Sequence, residues 1–145
     1  MARPMYESKQ DLVAENEIKS TLESYWKIKL QKLHYKYILD FCMLDENKQI
    51  CGWVEVKDRK GSGNSSIKII LSLDKFMKMQ EYSERTKLPV FMVWRFQDCF
   101  YIYEYRDSEL EIFWDGRWNS QRDDQDLEPC VHIPTRLMKK FERTK

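Results

Sequence analysis

Two apolar runs flank the polar stretch DENK, residues 45–48, in the segment YKYILDFCMLDENKQICGWVEVK. Short apolar runs separated by a turn-forming tetrapeptide read as a β-hairpin. Three charged residues interrupt the apolar pattern: Asp40 in the first run, Glu55 and Lys57 in the second. Side chains alternate along a strand, so Glu55 and Lys57 share a face. With a simple turn at DENK, Cys42 faces Cys51 and Asp40 faces Trp53, and Asp40 joins that same face; a bulge would shift the register. Two acids and a lysine in apolar strands are costly to bury unless something compensates them.

A chain of 145 residues suits a single domain with a substantial core. The rest of the chain supplies elements to pack around the hairpin. Residues 8–33 carry Ala14, Ile18, Leu22, Tyr25, Trp26 and Leu33 near one face at helical spacing. KGSGNSS is the one Gly/Ser cluster and reads as a loop. SLDKFMKMQEYSERTK reads as a helix with Ser72 as N-cap. VFMVWRF and CFYIYEY are strands joined at Gln97-Asp98, LEIFW a shorter one before an Asp115-Gly116 turn. QRDDQDLE reads as a loop, and a short basic helix closes the chain after VHIP. The order α-β-β-α-β-β, with additions, predicts a mixed central sheet flanked by helices. The expected core spans about residues 8–105, with an extension over 106–145.

Composition excludes several classes. No apolar run is long enough to span a membrane, the first ten residues lack a signal-peptide core, and the expected setting is cytoplasmic. Four cysteines without CxxC spacing and only two histidines argue for reduced thiols rather than zinc. Net charge is +1, so no global basic signature points to nucleic acid. The distribution is uneven: residues 19–36 hold five lysines against one Glu, whereas residues 104–128 hold nine acids against three arginines. There is no phosphate-cradling GxxxxGK or GxGxxG motif.

The chain contains five [DE]xK triplets, at residues 7, 17, 46, 55 and 58. Only Glu55-Val56-Lys57 lies in an apolar strand. A divalent cation is a natural compensator for Asp40 and Glu55, since Mg²⁺ takes one or two carboxylates and keeps several waters; the Val56 carbonyl is a further oxygen donor. Lys57 could then orient a water or stabilise charge on a phosphodiester. The purely structural reading pairs Glu55 with Lys57 at a strand edge and ties Asp40 to nearby backbone.

These residues resemble the PD-(D/E)xK nuclease superfamily, especially small members like the archaeal Holliday-junction resolvases. AENEIKSTLESYW is similar to the first helix, ILDFCML to the Asp strand, CGWVEVK to the ExK strand, and LSLDKFMKMQEYSERTKLPVFMVW to the following helix and strand. Leu39 replaces the proline of the nominal motif, and Gln80 followed by Tyr82 departs from the QxxxY spacing of exonuclease-like members. The resemblance implies a restriction-endonuclease-like α/β fold and a Mg²⁺-dependent endonuclease, with Mn²⁺ able to substitute. Asp40, Glu55 and the Val56 carbonyl would be metal ligands and Lys57 the catalytic lysine. Glu15 would be the helix acid, because it lies on the inward face near Ile18 and Leu22, whereas Glu17 points away and reads as a solvated charge. DNA, possibly branched, would be the substrate and a homodimer the working form. The same fold can also serve as a catalytically silent nucleic-acid-binding or assembly module.

Overall fold

The computed structural model describes residues 9–33, 39–64, 68–107, 110–116 and 127–143. Its elements are α1 (Lys9–Trp26), β1 (Lys29–Lys32), β2 (Phe41–Leu44), β3 (Ile50–Asp58), β4 (Ile70–Ser72), α2 (Leu73–Thr86), β5 (Val90–Arg95), β6 (Cys99–Glu104), β7 (Ile112–Gly116), β8 (Leu127–His132) and β9 (Lys139–Glu142). Six strands form one sheet in the order β1-β2-β3-β5-β6-β9, and three form a second in the order β4-β8-β7. Within the large sheet β3 and β5 pair in parallel and every other pair is antiparallel. That parallel pair needs a crossover, and the connection through β4 and α2 supplies it. The result is the mixed sheet flanked by helices expected of a restriction-endonuclease-like fold.

Strand alternation divides the core in two. Val90, Met92 and Trp94 of β5, with Tyr101 and Tyr103 of β6, meet Met79 of α2 and the small sheet. Val93, Phe100 and Ile102 face the other way and meet Ile18 and Leu22 of α1, with Phe41 and Val54 between them. α1 and α2 therefore cover opposite faces. The seat of α2 is fixed by Trp53, which packs edge-on against Tyr82 at 5.1 Å and donates its indole N–H to the Thr86 hydroxyl at 3.0 Å. Ser72 caps α2 as expected, its hydroxyl accepting from the Lys75 N–H at 3.2 Å.

Several sequence expectations are corrected. The first helix ends at Trp26, not near residue 33, because Lys27 takes a left-handed conformation (φ 56°) and KLQK continues as edge strand β1. The C-terminal basic segment forms a 3-10 turn at Thr135–Leu137 and then β9, not a helix. Phe141 explains the change, since it stacks on Phe100 at 4.9 Å and anchors β9 to the sheet edge. Asp115 and Gly116 end strand β7 instead of turning, pairing with Glu128 and Leu127. Most of QRDDQDLE lies outside the described residues.

The hairpin register also differs. Asp45 builds its own turn, its carboxylate accepting from the N–H groups of Asn47 and Gln49 at 2.9 Å each, with Lys48 left-handed. The loop therefore runs from Asp45 to Gln49, and Leu44 pairs with Ile50. A bulge at Cys51 then adds one more residue, so Cys42 faces Trp53 instead of Cys51.

Candidate active site

The register moves by two residues, one from the longer loop and one from the bulge. Side chains have a period of two, so Asp40 and Glu55 stay on one face. Asp40 precedes β2 and is held by backbone on both sides: its N–H donates to the Val54 carbonyl at 3.1 Å, and its own carbonyl accepts from the Leu33 N–H at 2.8 Å. Its carboxylate Oδ2 accepts from the Val56 N–H at 2.9 Å. The structural reading of Asp40 thus holds as far as it goes, because the side chain does bond to nearby backbone.

Glu55 lies at the centre of the face turned towards α2. It is 1% exposed and is the one buried charged residue among the described residues. Its ladder neighbour on β5 is Met92, and that of Lys57 is Trp94, so the floor of the site is apolar. Burial first, and the adjacent Glu55 carboxylate after it, raise the pKa of Asp40 to about 8. Glu55 Oε1 is buried and has no hydrogen-bond partner among the described residues. A proton shared with Asp40, or a cation, is what would satisfy it.

The ion pair made by Glu55 is not the expected one with Lys57. Lys75, in the first turn of α2, places its ammonium 2.5 Å from Glu55 Oε2, and its side chain is 12% exposed. Lys57 stays beside the acids without an ion pair among the described residues. Its pKa is pushed down chiefly by burial, against the pull of Glu55, with Lys75 and Arg59 also lowering it. Lys75 escaped the sequence reading, although one signal was present. A lysine three residues after an N-cap faces the positive end of the helix dipole, so that position is unfavourable unless an acid meets it.

Glu15 comes from the other face of the sheet. Its carboxylate pairs with Lys32 of β1 at 2.7 Å. Lys32 precedes Leu33, whose N–H is bonded to the Asp40 carbonyl, but the carboxylate of Glu15 is not brought into contact with Asp40 or Glu55 among the described residues. Glu17 is exposed, as expected of a solvated helix charge, and is also ion-paired. It pairs with Arg95 and, at 2.8 Å, with Arg143, while Arg95 also holds Asp58 at 2.9 Å. This network ties α1, β3, β5 and the C-terminal segment together.

Other candidates fall into structural roles. Gln80 donates to Glu84 along the exposed surface of α2 at 3.3 Å. Phe96, Phe100, Tyr101 and Tyr103 are core residues. Ser62 bonds to Asp98, and Ser65 and Ser66 lie outside the described residues, as does His34. The four cysteines are all free.

The acidic cluster fits a hard divalent cation. Asp40 and Glu55 supply two carboxylates, one with an uncompensated buried oxygen, and the Val56 carbonyl lies on the same flank of β3 as the N–H that Asp40 accepts. Among the described residues no group of three or more His, Cys, Asp or Glu is positioned for a metal, so the remaining donors would be water and substrate. That is the usual arrangement for Mg²⁺ bound with phosphate substrates.

No curated protein matches the chain. A family model described as "Phage putative PDDEXK endonuclease" matches residues 1–142. An Asp before one strand and an ExK triplet ending the next are the residues that this family's name denotes, and the chain has both, at Asp40 and at Glu55–Lys57. With 142 of 145 residues matched, the chain belongs to the phage PDDEXK endonuclease family.

Proposed function

We propose that the protein is a Mg²⁺-dependent nuclease that hydrolyses DNA phosphodiester bonds, with Mn²⁺ able to substitute. The observation that carries this reading is the juxtaposition of Asp40 with the buried Glu55, whose Oε1 lacks a partner, and the uncommitted Lys57 on one face. Asp40, Glu55 and the Val56 carbonyl would hold the cation. When bound, it supplies a lowered pKa to the attacking water and neutralises charge at the phosphate.

The chain's own residues then divide the work. Lys57 orients the water or stabilises the negative charge that grows on the phosphoryl oxygens, in a setting where burial strengthens its field. Lys75 fixes the rotamer of Glu55 through its ion pair and acts as a positioning residue. Glu15, paired with Lys32, would supply a further carboxylate only from the α1 side of the sheet. Binding to DNA falls to the basic residues around the site, since the overall charge is near neutral. Branched DNA is the proposed substrate shape and a symmetric homodimer the proposed working form, matching two equivalent strands with two sites.

One observation favours a second reading. Lys75 already neutralises Glu55 without any metal, as a catalytically silent DNA-binding module would require. Metal dependence separates the two. Labelled linear, flapped and four-way-junction DNA would be incubated with Mg²⁺, Mn²⁺ or EDTA, using wild type and Lys57→Ala. Metal-dependent cutting lost in the variant is the expected result. Absence of cutting on every substrate, with DNA binding unchanged by the substitution, would overturn the nuclease reading.

A further inference from the structure

Beside the acidic cluster, the end of β3 and the start of β4 part to leave a cleft of about 220 Å³, lined by Arg59, Lys68, Ile69, Ile70, Trp94 and Phe96. It adjoins the candidate active site directly. Trp94 is the ladder partner of Lys57, and Arg59 follows two residues after Lys57, with its N–H bonded to the Arg95 carbonyl at 2.8 Å.

The inner walls are apolar and the lip is cationic. Ile69, Trp94 and Phe96 are buried, whereas Arg59 and Lys68 are exposed. Among the described residues the Arg59 guanidinium has no acidic partner, and the Lys68 ammonium rests on the Phe113 ring, 4.3 Å from its centroid. Among the described residues no acid lines the cleft. Surface cations without acidic partners among the described residues, facing an apolar slot, suit a ligand with a flat apolar body and an anionic edge.

The lip is also held in place. Asp98 accepts from the Gly63 N–H at 2.7 Å, the Tyr101 hydroxyl donates to the Gly63 carbonyl at 2.8 Å, and the Gln97 N–H donates to the Gly61 carbonyl at 3.0 Å. The chain leaving Arg59 is thereby tied to the β5–β6 turn, which spares a ligand the cost of ordering it.

Size narrows the ligand further. A volume of 220 Å³ corresponds to roughly seven waters of liquid. It suits one heterocyclic base and falls short of a base with its sugar and phosphate. Bases within a duplex are stacked, so only a base out of the stack could enter.

We infer that this cleft receives one unpaired nucleobase of a DNA strand lying across the acidic cluster, with Arg59 and Lys68 meeting the phosphates on either side. The inference rests on the reading of Asp40, Glu55 and Lys57 as the place where the strand is cut, and it adds that the strand is unpaired next to that place. Neither the slot nor its rim needs the metal, so binding and cutting can be tested apart.

The test compares two labelled duplexes of equal length, one fully paired and one with a single bulged base. Binding is measured by fluorescence polarisation in EDTA and cutting by gel in Mg²⁺, for wild type, Ile70→Phe and Arg59→Ala/Lys68→Ala. Burial of one base predicts that wild type binds the bulged duplex at least about tenfold tighter. Ile70→Phe, which fills the slot, should remove that preference, and the double variant, whose changes lie at exposed positions and spare the core, should weaken the bulged complex more than the paired one. A bulge preference in EDTA without cutting in Mg²⁺ would leave the slot standing while the nuclease reading falls. Equal binding of both duplexes, with metal-dependent cutting of the paired one, would overturn the inference and leave the nuclease intact. A bulge preference that persists in both variants would also overturn it, since the base would then be held elsewhere.

Discussion

Asp40→Asn should make the metal-free protein more stable at neutral and mildly alkaline pH, although it removes a candidate ligand. The folded carboxyl keeps its proton up to a pKa of about 8, whereas an unfolded aspartate releases it near 3.8. Between those values the folded state binds more protons than the unfolded one. Stability contributed by this group is therefore complete below about pH 4 and falls as pH rises towards about 8. The difference of roughly four pKa units, at about 1.4 kcal/mol each, sets a ceiling of about 6 kcal/mol. Asp40 is only half-buried, so solvent screening lowers the expected effect to about 3 kcal/mol. That is still a large part of what a domain of this size possesses. Asparagine keeps the acceptor for the Val56 N–H, can donate to Glu55, and does not ionise. Urea unfolding in EDTA would be followed from about pH 4 to about pH 8 for both proteins. The two should agree at the acid end and part by about 1.5 M in midpoint at the alkaline end, with the variant the more stable. Mg²⁺ should then raise the wild-type midpoint at the alkaline end and leave the variant unmoved. Parallel pH profiles for the two proteins would refute the coupled pair of buried acids, and with it the physical case for a cation there.

Lys75→Met removes the partner of a carboxylate that is almost wholly buried, and should cost about 3 kcal/mol in chemical denaturation; Glu55→Gln in the same chain should recover most of that loss if the ion pair is the cause. Ser72→Ala deletes the N-cap of α2 and should cost about 1 kcal/mol in the same assay, with a matching loss of cutting, because Lys75 sits in the turn that it caps. Gly63→Ala would set a methyl group 2.9 Å from the Phe96 ring and against the Cys99 sulfur. About 1–3 kcal/mol of destabilisation is expected, and an unchanged thermal midpoint would show that the loop is not packed as described.

The large elements were legible because their patterns are local. Ser72 and the apolar spacing after it announce α2, and the β-branched and aromatic runs at 90–96 and 99–105 announce β5 and β6. What escaped depends on contacts distant in sequence. The segment after Trp26 reads as more helix, since Leu30 and Leu33 continue the spacing; only pairing with β2 makes it a strand. RLMKKFERTK has helical composition, but a stack of Phe141 on Phe100 outweighs propensity. In the site, Asp40, Glu55 and Lys57 were legible as charges out of place in apolar runs. Lys75 was not, because a lysine on an amphipathic helix draws no notice until an acid is found opposite it. The partners of Glu17 were hidden for the same reason, since Arg95 and Arg143 lie 78 and 126 residues away.

The hairpin shows why the site survives an error in its own register. A single extra residue between Asp40 and Glu55 would have turned one acid towards α1 and left the other facing α2. The chain carries two such residues, one where the Asp45 carboxylate stretches the loop and one at the Cys51 bulge, and the second restores the parity that the first breaks. The loop and the bulge are therefore coupled devices. Deleting Cys51 removes the bulge residue itself and leaves Leu44 opposite Ile50 and Asp40 opposite Glu55, so the acids should stay on one face and keep their metal response. Deleting Val54 with the bulge retained sets Glu55 opposite Phe41, and turns Glu55 and Lys57 towards α1. Chemical shift perturbation by Mg²⁺ would distinguish the two: response at Val56 in the Cys51 deletion, none in the Val54 deletion. A metal response in the Val54 deletion would mean that the bulge is given up and the strands re-register freely, and that facing of the acids is not set by the loop and the bulge.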